Sequence, residues 1–362
     1  MKITAALAKE QGQDLKTEEL ELREPRADEV LIKIVATGIC HTDAIGRDFG
    51  VTPYPVLLGH EGSGIVEKVG DFVTSVEPGD HVVLSFAYCG HCVNCLSGHP
   101  ANCIHCGPIN FGGRFLDGTT PLTQKGQEVS NFFGQSSFGS YSIAKENNVV
   151  KVDKEVDVAL LGPLGCGIQT GSGTVLNRLR PEFGSSIVVY GTGAVGLSAI
   201  MAAKLIGCKN IIAVDIHDNR LALAKDLGAT HTINSKTEDI VESVKAITGD
   251  GAEYGVDTTG VPIVVRSALR ALMPMGSLAV VGFTPEMEID IHNEIMAESK
   301  SLIGVVEGDA VPQIFIPSLV DFYKEGRFPF DKLVKFYDFN EINQAFLDSA
   351  DGSVIKPIVK MS

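Results

Sequence analysis

The chain holds 362 residues, 44% hydrophobic and 21% charged, an ordinary globular composition with room for two cored domains. A formal net charge of -15 argues against nucleic acid and against anionic membrane surfaces as partners. The apolar start of MKITAALAKEQGQDLK is too short and too soon broken by charge for a secretory signal. No apolar run is long enough to span a bilayer, so a cytoplasmic protein with reduced thiols is expected.

The first part of the chain is rich in short β-type runs. EVLIKIVATGI (29–39), GIVEKVG (64–70) and DHVVLSF (80–86) carry β-branched apolar residues and end at Gly, Pro or Asp. Their spacing predicts an antiparallel, barrel-like domain. Within it, CGHCVNCLSGHPANC places Cys89, Cys92, Cys95 and Cys103 in the pattern C-x2-C-x2-C-x7-C, in a lobe over about 88–106. Four thiolates this close can close a tetrahedral shell around one zinc ion and leave no open position, which makes the centre structural. A four-iron cluster needs the same four thiolates, and disulfides fit less well in a large chain with scattered cysteines. The stretch 98–137 is dense in Gly, Pro, Asn and Thr and reads mostly as loop.

From about 168 the texture changes. SSIVVYG, IIAVD, YGVDTTG and SLAVVGF read as strands, and AVGLSAIMAAKLIG, DNRLALAKDLGA and VPIVVRSALRALM as helices between them. Alternation of this kind predicts a doubly wound parallel sheet over 168–307. The mixed tail, ending in SVIKPIVK, returns to the first domain, which therefore comprises 1–167 and 308–362. SLIGVVEG (301–308) is expected to be an edge strand, available for contact between subunits.

Gly191, Gly193 and Gly196 form G-x-G-x-x-G, with Ala194 and Val195 between the last two. The motif follows a predicted strand and opens a predicted helix, the context a dinucleotide site requires. The glycines give a tight turn, close approach of pyrophosphate and close helix–strand packing. Helix N-terminal N–H groups then face the phosphates. Asp215 ends the next strand, where a carboxylate accepts from ribose hydroxyls and repels a 2′-phosphate, so NAD is expected rather than NADP. Cys40, His60 and Cys166 are candidate ligands for a second metal. Two thiolates and one imidazole leave a tetrahedral zinc one open position. Their spacing alone does not bring them together, and buried cysteines are commonly inert.

The run GHEGSGIVEKVGDFV (59–73) resembles the signature of the zinc-containing medium-chain alcohol dehydrogenases, G-H-E-x2-G-x5-G-x2-V, at Gly59, His60, Glu61, Gly64, Gly70 and Val73. GICHTD (38–43), the four-cysteine lobe and GTGAVG with Asp215 match the same family, so the resemblance covers essentially the whole chain. It implies a GroES-like catalytic domain beside a Rossmann domain. It also implies two zinc ions per subunit, one catalytic on Cys40, His60 and Cys166 and one structural. By the same resemblance Glu61 approaches the catalytic metal, Asp43 orients His60, and Thr42 takes the substrate proton. His41 and Lys356 contact pyrophosphate, Arg220 lies beside the adenosine ribose, and Gly282 belongs to the cofactor site. Many relatives carry a relay histidine where this chain has Ile45, which cannot carry a proton; nearby Arg47 is either a phosphate ligand or a surface charge.

The implied reaction is reversible oxidation of a primary alcohol to an aldehyde by hydride transfer to NAD. Phe132, Phe133 and Phe283 match positions at the substrate channel or beside the nicotinamide, and Phe115 is a further candidate. LGPLGCGIQTGSG (161–173), FFGQSSFGSY and the CHTD segment resemble the aryl-alcohol (benzyl-alcohol) branch. Benzyl-type alcohols are therefore expected. The alternatives are an aliphatic primary alcohol dehydrogenase, a glutathione-linked formaldehyde dehydrogenase, and a non-catalytic zinc- and NAD-binding protein. Relatives assemble as homodimers or homotetramers.

Overall fold

A computed structural model describes residues 1–361. The chain divides into two units: Met1–Gly167 with Val311–Glu325 and Phe330–Ser362, and Ile168–Ala310 with Gly326–Pro329.

The first unit is built on two sheets. In the larger, the strand Glu29–Gly38 is central. It pairs antiparallel with Gly62–Val69, with Tyr141–Lys145 and with Lys356–Lys360. Val30, Ile32, Ile34 and Ala36 alternate along it into the core, as a period of two demands. His81–Leu84 and Val149–Lys151 extend one side, and Val334–Asp338 pairs in parallel with the C-terminal strand. The smaller sheet runs Val56–Leu57, Lys2–Ala8, Lys16–Leu22, Leu122–Gln124 and Gln127–Val129. Leu7, Leu20, Leu57, Phe86, Phe132 and Phe138 are fully buried in one core cluster. The stretch expected to be loop holds more structure than its composition suggests. It contains a helix, Cys106–Phe111, and a hairpin whose turn residues Lys125 and Gly126 both have positive φ, 52° and 77°. Such a turn matches the strand twist.

The second unit carries six parallel strands. Their order is His231–Asn234, Asn210–Asp215, Ser186–Tyr190, Ala252–Asp257, Leu272–Val280 and Ser301–Gly304. Numbered along the chain this is 3-2-1-4-5-6, the doubly wound dinucleotide-binding order. Ser186–Tyr190 (SIVVY) is buried throughout, as strands covered on both faces must be. The helix Ala194–Ile206 leaves it and stops at Gly207, whose φ of 87° is the left-handed cap. Ser301–Gly304 stands at the sheet edge. Among the described residues, no helix is long and apolar enough to cross a membrane.

Candidate functional site

The strand Glu29–Gly38 delivers Cys40 to the start of the helix His41–Asp48. Asp43, in the first turn of that helix, is fully buried and accepts three hydrogen bonds. They come from the backbone N–H of Cys40 (3.0 Å), the backbone N–H of Gly59 (3.0 Å) and Nδ1 of His60 (2.9 Å). One carboxylate thus ties together the two segments that present Cys40 and His60. Gln135 braces the second of them. Its amide donates to the carbonyls of His60 and Ser85 (both 3.0 Å) and accepts from the N–H of Gly62 (3.1 Å). Cys166 follows the short turn Gly162–Gly165.

These segments bring one ligand atom each from Cys40, His60, Glu61 and Cys166 within 4.8 Å of one another. His60 Nε2 is buried and has no hydrogen-bond partner, although Nδ1 is held by Asp43. A buried polar atom left without a partner is costly unless something occupies its lone pair. Two thiols and an imidazole held from behind by a carboxylate are the donor set of a zinc site with an open position. The electrostatics agree. The Cys40 thiol lies well below its ordinary value, chiefly through a hydrogen bond with Cys166, with Lys356 and His60 adding to it against burial. Burial opposes a charged His60, but Asp43 and Cys40 outweigh it and hold the ring well above its ordinary value. The pocket favours positive charge at the atom a metal would meet.

Glu61 is not free. Lys356 Nζ lies 2.8 and 2.9 Å from its two oxygens and donates to the Ile39 carbonyl at 3.2 Å; the N–H of Gly167 adds a bond to Glu61 at 3.2 Å. Burial pushes the Glu61 carboxyl up, against the pull of Lys356. Burial likewise opposes charge on Lys356, but Glu61 and Cys40 keep it protonated. The resemblance assigned Lys356 to pyrophosphate; here the side chain is 3% exposed and its ammonium is engaged by Glu61.

The four-cysteine set converges separately. Cys89, Cys92, Cys95 and Cys103 have sulfurs within 4.8 Å of one another, with Cys92 and Cys95 at 3.4 Å. The backbone N–H of Cys92 donates to Cys89 and that of Cys89 to Cys103, at 3.3 and 3.4 Å. The N–H groups of Cys95 and Ile104 pull the Cys92 thiol down to about 6. Burial and the neighbouring Cys92 push Cys95 up to about 12, the conflict a cation would relieve.

In the second unit, Gly191 has φ 85°, and a Cβ there would lie 2.6 Å from Thr258 Oγ1. A Cβ at Gly196 would fall 1.9 Å from the Gly191 carbonyl, while at Gly193 it would meet nothing within 4 Å. The three positions therefore supply the turn, the close packing and an open face at the start of the helix, the features that suit a dinucleotide phosphate. Asp215 accepts from Thr192 N–H and Oγ1 (2.7 and 2.6 Å) and from the N–H groups of Ile216 and His217 (2.7 and 3.0 Å). Burial opposes its charge, but these donors hold the carboxyl below its ordinary value.

Residues 26–154 match the model of the alcohol dehydrogenase GroES-like domain, and residues 194–325 that of the zinc-binding dehydrogenases. The chain is 45% identical over 360 residues to a geraniol dehydrogenase of Castellaniella defragrans, covering 98% of this chain and 96% of that one. The chain belongs to the zinc-binding medium-chain alcohol dehydrogenase family. A solved benzyl alcohol dehydrogenase from Acinetobacter calcoaceticus superposes with a TM-score of 0.97 at 49% identity, each chain covered in full. An S-(hydroxymethyl)glutathione dehydrogenase of Komagataella pastoris is 36% identical over 372 residues, covering 100% of this chain and 98% of that one. Family membership makes the protein a zinc alcohol dehydrogenase and implies zinc and NAD.

In this dehydrogenase Thr42 Oγ1 lies 4.0 Å from the Cys40 sulfur, and His41 opens the same helix, exposed. Phe133 and Phe132 flank the His60 ring at centroid distances of 4.6 and 5.8 Å. Phe111, which the sequence did not single out, meets both edge-on at 5.1 and 5.9 Å. Its place in a stretch read as loop gave no signal. Phe283 is 83% exposed in the second unit, and Gly282 N–H donates to the Asp257 carbonyl at 3.2 Å. Phe115 goes elsewhere: it lines a cavity of about 390 Å³ with Tyr88, Cys89 and Ile109, under the ammonium of Lys145. Arg47 pairs with Asp48 and lies over the Phe346 ring at 4.7 Å. Arg220 Nε is buried without a hydrogen-bond partner.

Proposed function

We propose that this dehydrogenase oxidises primary alcohols of the benzyl type to aldehydes, with NAD as hydride acceptor. The observation that carries the substrate class is the aromatic wall around His60. Phe133 stands in tilted contact with the His60 ring and meets Phe111 edge-on, with the core residue Phe132 packed against it at 4.9 Å. Ring contacts of this kind favour a flat partner by about 0.5–1.5 kcal/mol beyond area burial. Similarity to the benzyl alcohol dehydrogenase supports the same class. Similarity to the geraniol dehydrogenase favours a second reading, an allylic alcohol, which also places a planar carbon beside the reacting one.

When bound, the zinc ion would acidify the substrate hydroxyl and the nicotinamide would accept the hydride. Cys40, His60 and Cys166 would hold that ion, and Cys89, Cys92, Cys95 and Cys103 a second, structural one. Asp43 keeps the proton of His60 on Nδ1, so that Nε2 presents its lone pair. Thr42, with Oγ1 4.0 Å from the Cys40 sulfur, would be the hydroxyl that receives the substrate proton. Ile45 carries none onward, so the proton leaves by another path. Asp215, held ionised by its four donors, repels a 2′-phosphate and favours NAD over NADP. We assign the protein to the cytoplasm, where clustered thiols stay reduced. We also assign it a homo-oligomeric state, supported by the edge position of Ser301–Gly304 with Leu302 and Met275 exposed nearby. Steady-state kcat/KM for benzyl alcohol, geraniol, hexanol and ethanol, with NAD and then NADP, tests these points. Equal values for ethanol and benzyl alcohol would remove the aryl assignment.

A further inference from the structure

Cys89 belongs to two donor sets. One is the four-thiolate group. The other comprises Cys89, His91 and His105, whose ligand atoms also lie within 4.8 Å of one another. The two imidazole rings face each other at 6.3 Å between centroids, tilted by 41°. His91 is exposed, and its Nδ1 lies 2.8 Å from the carbonyl oxygen of Cys89. A carbonyl only accepts, so Nδ1 donates, which leaves Nε2 as the ring nitrogen that can offer a lone pair to a metal. The main chain of His105 is anchored to the same lobe: its backbone N–H donates to the Cys103 sulfur at 3.4 Å. The His91 ring is thus tied to Cys89 and the His105 backbone to Cys103, yet neither histidine belongs to the closed set.

A thiolate sulfur bound to one cation keeps further lone pairs. Imidazole and thiolate together suit borderline divalent ions such as zinc, cobalt and nickel. Two imidazoles and one sulfur make a three-ligand set that water can complete. We propose that His91, His105 and Cys89 form an auxiliary site for a borderline divalent transition-metal ion, on the solvent side of the four-cysteine centre and sharing Cys89 with it. The site is independent of which alcohol the enzyme oxidises.

Untagged protein with its resident zinc is dialysed against micromolar Ni²⁺, and nickel and zinc per chain are counted by elemental analysis. The expected result is one nickel per chain with the zinc retained, accompanied by a near-ultraviolet thiolate-to-nickel absorption band. In His91→Ala and in His105→Asn nickel affinity should fall about tenfold or more, on the scale seen when a metal site loses a supporting group. His91 is exposed, so its variant keeps the fold. If His105→Asn loses resident zinc, His91→Ala decides. No nickel beyond the resident sites, nickel binding unchanged in His91→Ala, or binding without the thiolate band would overturn the proposal.

Discussion

Replacing Asp43 with Asn keeps the shape of the side chain and removes one acceptor. In the native protein Oδ1 takes the N–H of Gly59 and Nδ1 of His60, while Oδ2 takes the N–H of Cys40. The best amide orientation keeps the first two bonds and turns its NH₂ toward Cys40. Two donors then face each other where Asp43 is 0% exposed. One buried N–H loses its partner, a cost of about 1–3 kcal/mol. His60 also loses the charge on the group that orients it, and such losses weaken metal affinity by about 10–100-fold. That factor equals about 1.4–2.8 kcal/mol. The assay is transfer of zinc to a coloured chelator, followed in time. Release from the four-cysteine centre serves as the internal control and should keep its native rate. Native affinity at the Cys40–His60–Cys166 set in Asp43→Asn would refute the claim that this carboxylate sets the imidazole.

Lys356→Met leaves Glu61 buried without its cation and should lower the unfolding free energy by about 3–5 kcal/mol, read from urea denaturation. Adding Glu61→Gln should recover most of the loss; equal losses in the single and double variants would contradict the pairing. Phe133→Ala should lower kcat/KM for benzyl alcohol relative to hexanol by about 2- to 13-fold, the kinetic equivalent of 0.5–1.5 kcal/mol. An unchanged ratio would remove Phe133 from the substrate wall. Glu294 is pulled down to about 2, first by Arg266, then, against burial, by the Asp290 N–H and Arg270. Its folded value lies below the unfolded value of about 4.3. The stability it contributes is therefore complete above that value and is lost as pH falls through it toward 2. The gap in urea midpoint between native protein and Glu294→Gln should be full at neutral pH and narrow in acid. A constant gap would argue against the ion pairs.

Legibility followed physical range. The six parallel strands were readable because burial on both faces leaves unbroken apolar runs such as SIVVY. The glycine motif was readable because its strand and helix are its immediate neighbours. The hairpin at 122–129 was not, since strands of three residues carry too few alternations to register. At the metal site the residue types were visible and their convergence was not: Cys40 and Cys166 meet only through tertiary packing, and the resemblance supplied what spacing lacks. The Glu61–Lys356 pair joins residues 295 positions apart, so no local pattern announces it. Gln135 looked like any loop glutamine, although its amide fixes the carbonyl of His60. Phe115, a residue with suitable chemistry, lines a cavity together with Tyr88 and Cys89, a placement its loop sequence does not announce.

The crowding of sulfur in the lobe has a practical corollary for shelf life. With Cys92 and Cys95 only 3.4 Å apart, an emptied centre holds thiols close enough to couple under air. Stocks stored with chelator should therefore fail to take the ion back until reductant is added first, and a preparation that has lost its cation is best kept anaerobic.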